Sequence, residues 1–118
     1  MFRLVDADTG EEIAGRVRVA DNPWTRFRGL MLAPPLAAGE GLFIRPCGSI
    51  HMMFMRFRID AVFLDRDNRV TSVARSLPCW RGLAFGGRGA KAVVELPVGA
   101  AQYVRPGQAL RFEEQTDG

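Results

Sequence analysis

Apolar and polar positions alternate along the first twenty residues, as they do in strands with one buried face. Residues 2–6 follow the alternation loosely, and residues 13–20 follow it closely, with Val17 on the side opposite to Arg16 and Arg18. The intervening Asp8-Thr9-Gly10 sequence is typical of a tight turn. The chain is therefore predicted to begin with a β-hairpin.

A short helix is predicted after this hairpin. The Asp21-Asn22-Pro23 sequence combines a capping side chain with a proline whose fixed φ suits a first helical turn. The apolar residues that follow recur at helical spacing. They are Trp24, Phe27, Leu30 and Met31. The Pro34-Pro35 pair ends the helix, because proline lacks the amide that a further turn requires. We expect the apolar stripe to pack on a sheet.

Three further strands are predicted in the middle of the chain. Residues 41–44 form a short apolar run that is typical of a buried strand. Residues 49–65 contain no turn signal but exceed the usual strand length of about 3–10 residues, so we expect a bend near residues 56–58. After that bend, residues 59–64 and 70–74 are predicted to form two strands joined by a hairpin loop rich in Asp and Asn.

The remaining segments complete a predicted fold that is mainly β. Residues 77–89 contain one proline and four glycines, which indicates an irregular surface loop. Residues 92–96 and 108–113 are predicted strands, and residues 99–103 a single helical turn. We therefore expect an antiparallel sandwich or barrel-like domain of short strands with one short N-terminal helix, in which residues 1–118 form a single domain.

Composition narrows the class of protein without giving an activity. The 118 residues are 47% hydrophobic and 25% charged, which is typical of a globular chain and disfavours a membrane-spanning one. The net charge is +3, but the fifteen arginines and one lysine are interleaved with thirteen acids, so nucleic-acid binding is unlikely. Charges near the start disfavour a signal peptide and favour a cytoplasmic location, where Cys47 and Cys79 are expected to be free thiols.

Two carboxylates interrupt apolar runs. Asp60 stands among residues that a buried strand would make apolar, and Glu95 has the same character in Val94-Glu95-Leu96. One interpretation of Asp60 is structural, with its carboxylate satisfied by backbone amides or by Arg56, and the other is a ligand-binding or general-base group. Two such carboxylates facing one another would form an acid–base pair. We expect Asp60→Asn to destabilise the fold markedly and Glu95→Gln to do so less.

His51 is the only histidine, and a mechanism that needs titration near neutral pH would use it. A lone histidine at the start of a strand is nevertheless more often a hydrogen-bonded structural residue. Cys47, His51 and the nearby methionines are soft metal ligands, but no CxxC or HExxH spacing accompanies them. We therefore expect no metal and no cofactor.

Five short segments, running from the predicted helix towards the last strand, carry a family resemblance. They are Arg28-Gly29-Leu30-Met31, Gly41-Leu42-Phe43, Ser49-Ile50-His51-Met52-Met53-Phe54-Met55-Arg56-Phe57, Ile59-Asp60-Ala61-Val62-Phe63-Leu64-Asp65, and Val94-Glu95-Leu96-Pro97 with Gly99. In this order and spacing the chain resembles the bacterial and archaeal family called domain of unknown function 192. The chain departs from the family at Arg58, where relatives typically have proline. The resemblance implies a compact, β-rich, sandwich-like domain with a small helical element and implies no activity. We expect a bacterial source.

These residues lead to one functional hypothesis and two alternatives. The leading hypothesis is a small binding or accessory module for a polar or anionic organic ligand, such as a saccharide or a carboxylate-bearing metabolite. The residues expected to rim its pocket are Arg28, His51, Arg56, Asp60, Trp80 and Glu95. The first alternative is a hydrolase that uses Asp60 or Glu95 with His51 as acid and base. The second is a structural or protein-interaction domain without a shared pocket.

Overall fold

The computed structural model describes residues 1–22, 30, 33–52, 55–80 and 82–115, and nine strands are found among them. The strands are β1 Phe2–Asp6, β2 Glu12–Ala20, β3 Glu40–Ile44, β4 Ser49–His51, β5 Ile59–Leu64, β6 Val70–Leu77, β7 Leu83–Phe85, β8 Ala92–Pro97 and β9 Leu110–Glu114. The mainly β fold class is confirmed. In this part of the chain, no helix is long and apolar enough to cross a membrane.

The predicted opening hairpin and the predicted central bend are both confirmed. β1 and β2 pair antiparallel, and Asp6 closes their turn, because its Oδ1 accepts hydrogen bonds from the backbone amides of Asp8 (2.7 Å) and Thr9 (2.8 Å). β4 ends at His51 and β5 begins at Ile59, so the long segment is not one strand.

Seven of the strands form one curled sheet in the order β6-β5-β8-β3-β2-β1-β9. Its two outer strands approach one another at one end. The amide of Val70 donates to the carbonyl of Gln108 (2.9 Å), and the amide of Leu110 donates to the carbonyl of Asn68 (3.0 Å). The sheet is thus a half-barrel with a concave face, and all seven strands contribute to the core on that face.

We call the cluster of buried side chains on the concave face the concave core. Its buried members are Leu4, Ala14, Val17, Phe43, Val62, Leu64, Val70, Ala92, Val94, Leu96, Ala101, Val104 and Leu110.

A second layer covers the opposite, convex face of the sheet. β4 and β7 pair antiparallel as a separate two-stranded ribbon, and their inward residues Ile50 and Ala84 are buried. The buried members of this convex core are Ala20, Leu30, Leu42, Ile44, Ile50, Met52, Met55, Ile59, Ala61, Phe63, Ala84 and Val93. Because both faces of the sheet are covered, all six residues of β5 are buried.

One strand pair differs from the expected antiparallel arrangement. β2 and β3 pair in parallel. Parallel neighbours need a crossover connection, which residues 21–39 supply here. Leu30 belongs to the convex core, and Ala33 and Leu36 pack against it. The sequence pattern did not reveal the parallel pairing because alternation within a strand carries no information about its direction relative to a neighbour.

The predicted helix falls largely on residues 23–29 and 31–32, which lie outside the described residues. Trp24, Phe27 and Met31 are among them. The helix therefore remains a prediction. Leu30, the described member of the stripe, is 2% exposed, as expected for a residue that packs on a sheet.

The prediction of an irregular loop at residues 77–89 is wrong in one respect, because this segment contains β7. Its three residues Leu83, Ala84 and Phe85 alternate between exposed and buried positions, but this signal is short and lies among glycines. The strand depends on pairing with β4, a contact that local propensity does not show. Residues 99–103 form turns and not a helical turn.

Candidate functional site

Asp60 is held by the backbone of two distant segments. The residue is 1% exposed. Its Oδ1 accepts a hydrogen bond from the amide of Ser76 (2.9 Å), and its Oδ2 accepts from the amides of Gly99 (3.0 Å) and Ala101 (3.2 Å). Ser76 (φ 53°) and Gly99 (φ 96°) both adopt the left-handed conformation, which glycine tolerates at no steric cost. Both carboxylate oxygens are thus occupied, in agreement with the structural interpretation of Asp60.

Arg75 binds the same turn after β8 that Asp60 binds. Its Nε donates to the carbonyl of Ala101 (3.2 Å), and its Nη2 donates to the carbonyl of Val104 (2.6 Å). In the turn after β8, backbone amides therefore donate to the Asp60 carboxylate, and backbone carbonyls accept from the Arg75 guanidinium group. Ala101 and Val104 belong to the concave core, so the turn closes one end of the half-barrel.

Glu95 points to the other face of the sheet. In the pairing of β5 with β8, Asp60 lies opposite Leu96, and Ala61 lies opposite Glu95. Successive strand residues point to opposite faces, whereas directly paired residues share a face. Leu96 belongs to the concave core and Ala61 to the convex core. Asp60 and Glu95 are consequently separated by the sheet, and the acid–base pair suggested by the sequence does not form.

The surroundings of Glu95 are apolar. Its neighbours across the strands are Leu42 on β3 and Ala61 on β5, and the residue is 4% exposed. None of the hydrogen bonds among the described residues reaches its carboxylate. Burial raises the pKa of Glu95 to about 7, because the charged form loses its hydration without gaining a partner. Glu95 therefore titrates near neutral pH, which is unusual for a glutamate.

His51 lies on β4 of the ribbon, and Trp80 lies in the turn whose backbone is hydrogen-bonded to the end of that strand. His51 is exposed on β4, and Trp80, 55% exposed, donates its backbone amide to the carbonyl of Met52 (2.8 Å). Arg56 is exposed in the bend after Met52, and Arg28 lies outside the described residues. Of the six expected pocket residues, the structure thus places the backbone of Trp80 beside the residue that follows His51, and it separates Asp60 and Glu95 from each other.

The ribbon presents an amphipathic outer surface. Because Ile50 and Ala84 point inward, Ser49, His51, Leu83 and Phe85 point outward. We call these four side chains, with Trp80 at their margin, the outer ribbon face. Leu83 is 59% exposed and Phe85 is 67% exposed.

Leu83 and Phe85 were not among the residues predicted from the sequence. Their alternation with Ala84 is the signal that would have identified them as one face of a strand.

Close backbone contacts fix the end of this ribbon. The amide of Met52 donates to the carbonyl of Gly82 (2.8 Å), and the amide of Gly82 donates to the carbonyl of Pro78 (3.0 Å). A Cβ atom at Gly82 would lie 2.5 Å from Cγ of Met52 and 2.7 Å from the carbonyl oxygen of Pro78. Trp80 adopts a left-handed φ of 66°, a conformation that is costly for a bulky residue. The exposed indole is therefore carried by a tightly packed turn.

Neither cysteine is part of a disulfide. Cys47 and Cys79 are half-buried thiols, and Sγ of Cys47 donates to the carbonyl of Ser49 (3.0 Å). Across the described ranges, no group of three or more His, Cys, Asp or Glu side chains is arranged to hold a metal ion.

Sequence comparison finds relatives of known family. A model of the family DUF192, described as an uncharacterized ACR, matches residues 4–112. A UPF0127 protein of Thermococcus sibiricus is 41% identical over 106 residues, which are 86% of this chain and 67% of that protein. A UPF0127 protein of Thermococcus kodakarensis is 34% identical over 101 residues, 81% of this chain and 62% of that protein. The chain thus spans about two thirds of the length of these relatives. They are archaeal, so they do not support the expected bacterial source.

Two solved structures share the fold. A protein of unknown function from Novosphingobium aromaticivorans superposes with a TM-score of 0.80 at 20% identity, covering 92% of this chain and 83% of that one. A protein of Sinorhizobium meliloti, for which a role in transcription regulation has been suggested, gives a TM-score of 0.78 at 22% identity, covering 94% and 91%. At these identities the similarity shows the fold alone.

We expect Asp60→Asn to destabilise the protein by about 2–4 kcal/mol, because the amide group turns an N–H towards at least one backbone donor and removes a charged acceptor. Urea unfolding followed by circular dichroism measures the change. Asp67→Asn is the matched control, since Asp67 is exposed and loses the same charge. Equal stability of the two variants would contradict the structural role of Asp60.

We expect the stability of the unmodified protein to fall as the pH rises from about 5 to 8. The pKa of Glu95 is raised from 4.5 to about 7 in the folded state. The contribution of protonated Glu95 to the free energy of unfolding is therefore complete below about pH 4.5 and is lost as the pH rises through 7. The loss amounts to about 3 kcal/mol.

Glu95→Gln removes this titration. The sequence alone predicted a modest destabilisation by this substitution, but the apolar burial of Glu95 reverses that expectation. The variant should be more stable than the unmodified protein at pH 8, and the difference should disappear near pH 5. Denaturant unfolding at several pH values tests this, with the exposed Glu114→Gln as the control. Parallel profiles for the unmodified and Glu95→Gln proteins would show that Glu95 is not the group that titrates.

Proposed function

The chain belongs to the DUF192 family of uncharacterised proteins, and we propose that it acts as a small binding module that holds a saccharide on the outer ribbon face. The observation that carries this proposal is the exposure of Trp80, Leu83 and Phe85 within six residues of sequence, on a segment that is tightly fixed by its backbone. Large apolar side chains grouped in solvent commonly mark a binding surface.

The two strands of the ribbon offer different chemistry to a ligand. The register places Ser49 opposite Phe85 and His51 opposite Leu83. One strand therefore presents hydrogen-bonding groups, and the other presents apolar ones. Directly opposite residues have Cβ atoms roughly 5 Å apart, so polar and apolar contacts alternate over a short distance.

A sugar ring has the matching pattern. Its C–H faces pack on aromatic and aliphatic side chains, and its hydroxyl groups form hydrogen bonds around the rim. The Ser49 hydroxyl can donate or accept a hydrogen bond, and the imidazole of His51 adds a polar side chain beside it. The fixed turn that carries Trp80 limits the conformational entropy lost when a ligand is bound.

The hydrolase alternative has less support. Its three groups would need to converge on one substrate, but Asp60 faces the concave core, Glu95 faces the convex core, and His51 lies on the outward side of the ribbon. Asp60 is further occupied by three backbone amides. A binding role needs no such convergence.

The proposal is tested by affinity electrophoresis in native gels that contain dextran, laminarin, xylan or hydroxyethyl cellulose. We expect at least one polysaccharide to retard the unmodified protein. Trp80→Ala should weaken the apparent affinity at least tenfold, which corresponds to about 1.4 kcal/mol, because the indole supplies the largest apolar contact.

Tyr103→Ala is the matched control. Tyr103 is 76% exposed and lies on the turn after β8, away from the ribbon, so its removal should leave the retardation unchanged. Absence of retardation by all four polysaccharides would overturn the saccharide proposal. Retardation that is equally sensitive to Trp80→Ala and Tyr103→Ala would place the ligand elsewhere and would equally overturn it.

A further inference from the structure

A cavity of about 310 Å³ opens on the convex side of the sheet, where β2 and β3 meet the crossover between them. Arg16, Arg18 and Glu40 contribute charged side chains to its lining, and Met1 also lines it. The crossover adds an apolar wall that includes Leu30, Pro34 and Leu36. The volume is at the small end of the range of about 300–1,000 Å³ for ligand sites. We call this the arginine cavity.

The register of the sheet brings the charged groups together. Arg16 lies beside Glu40 and Arg18 beside Leu42, and paired neighbours share a face. Because Leu42 belongs to the convex core, both arginines lie on the convex face, the face on which Leu30 packs, and both are exposed there. The sequence alone indicated only that the two arginines lie opposite Val17.

The guanidinium groups of Arg16 and Arg18 have no protein counterion among the described residues. The ion pairs of this part of the chain join Arg3 to Glu12 (2.7 Å), Arg3 to Glu113 (2.9 Å) and Arg111 to Glu113 (2.8 Å). Glu40 stands beside Arg16 in the sheet but directs Oε1 to the backbone amide of Ala37 (2.7 Å). The cavity is therefore lined by two guanidinium groups that form no ion pair with another described residue.

We propose that the arginine cavity binds a small monocarboxylate with an apolar body. The two guanidinium groups outnumber the single carboxylate in the lining, so the cavity favours an anion. A planar carboxylate matches the fork of a guanidinium group and accepts two hydrogen bonds from it. The leucine and proline wall removes the apolar part of such a ligand from water.

This site is independent of the saccharide proposal. None of the residues of the outer ribbon face lines the arginine cavity, and the two surfaces are built from different strands. Failure of either proposal leaves the other in place.

The test is a titration of the ¹⁵N-labelled protein, in which the Nε–Hε resonances of Arg16 and Arg18 report directly on the cavity. The probes are benzoate, phenylacetate and hexanoate, with benzamide as the neutral counterpart of benzoate. We expect saturable shifts of both arginine resonances with at least one carboxylate, tenfold weaker binding of benzamide than of benzoate, and weakening by added salt.

The double variant Arg16→Gln/Arg18→Gln should reduce the affinity at least tenfold, while Arg105→Gln, which removes an exposed arginine outside the cavity, should leave it unchanged. The backbone amide spectrum shows whether each variant is folded. If the double variant does not fold, the single Arg18→Gln variant takes its place. The proposal is overturned if no carboxylate shifts the two resonances, if benzamide binds as well as benzoate, or if the folded arginine variant binds with unchanged affinity.

Discussion

The carboxylate of Asp60 connects three parts of the chain that are far apart in sequence. It lies in β5 and accepts backbone hydrogen bonds from Ser76 in β6 and from Gly99 and Ala101 in the turn after β8. Buried amides without acceptors would destabilise the fold, and a buried carboxylate without donors would do so more strongly. Each group here removes the penalty of the other. With Arg75 binding the carbonyls of the same turn, this arrangement closes the half-barrel over the concave core.

Closing the sheet in this way determines which surfaces remain for function. The concave face is filled by its own side chains, so both proposed binding surfaces depend on the layer that covers the convex face. The ribbon of β4 and β7 buries Ile50 and Ala84, and as a result it turns Leu83 and Phe85 into solvent. Leu30, Pro34 and Leu36 of the crossover between β2 and β3 likewise line the arginine cavity together with Arg16 and Arg18. The same packing that stabilises the convex core therefore shapes the outer ribbon face and the arginine cavity.

The buried carboxylates on the two faces of the sheet have different surroundings. Asp60 on the concave face is fully hydrogen-bonded, whereas Glu95 on the convex face is buried among apolar neighbours, with a pKa raised to about 7 by that burial. Neutral Glu95 is compatible with an apolar core, and ionised Glu95 is not. We therefore expect the stability of the convex layer to depend on pH near neutrality.

The sequence by itself determined the features that depend on neighbouring residues. Alternation located the opening hairpin, apolar runs located the buried strands at β3, β5 and β8, and the length of residues 49–65 required the central bend. It also singled out Asp60 and Glu95, because an acid in an apolar run is conspicuous whatever the fold. Only the tertiary structure decided the parallel pairing of β2 with β3, the existence of β7, and the separation of Asp60 from Glu95. Side-chain alternation assigns residues to the two faces of one strand, but a shift of one residue between strands exchanges those faces. Register is set by long-range packing, so the grouping of His51 with Leu83 and of Arg16 with Glu40 was beyond the reach of the local pattern.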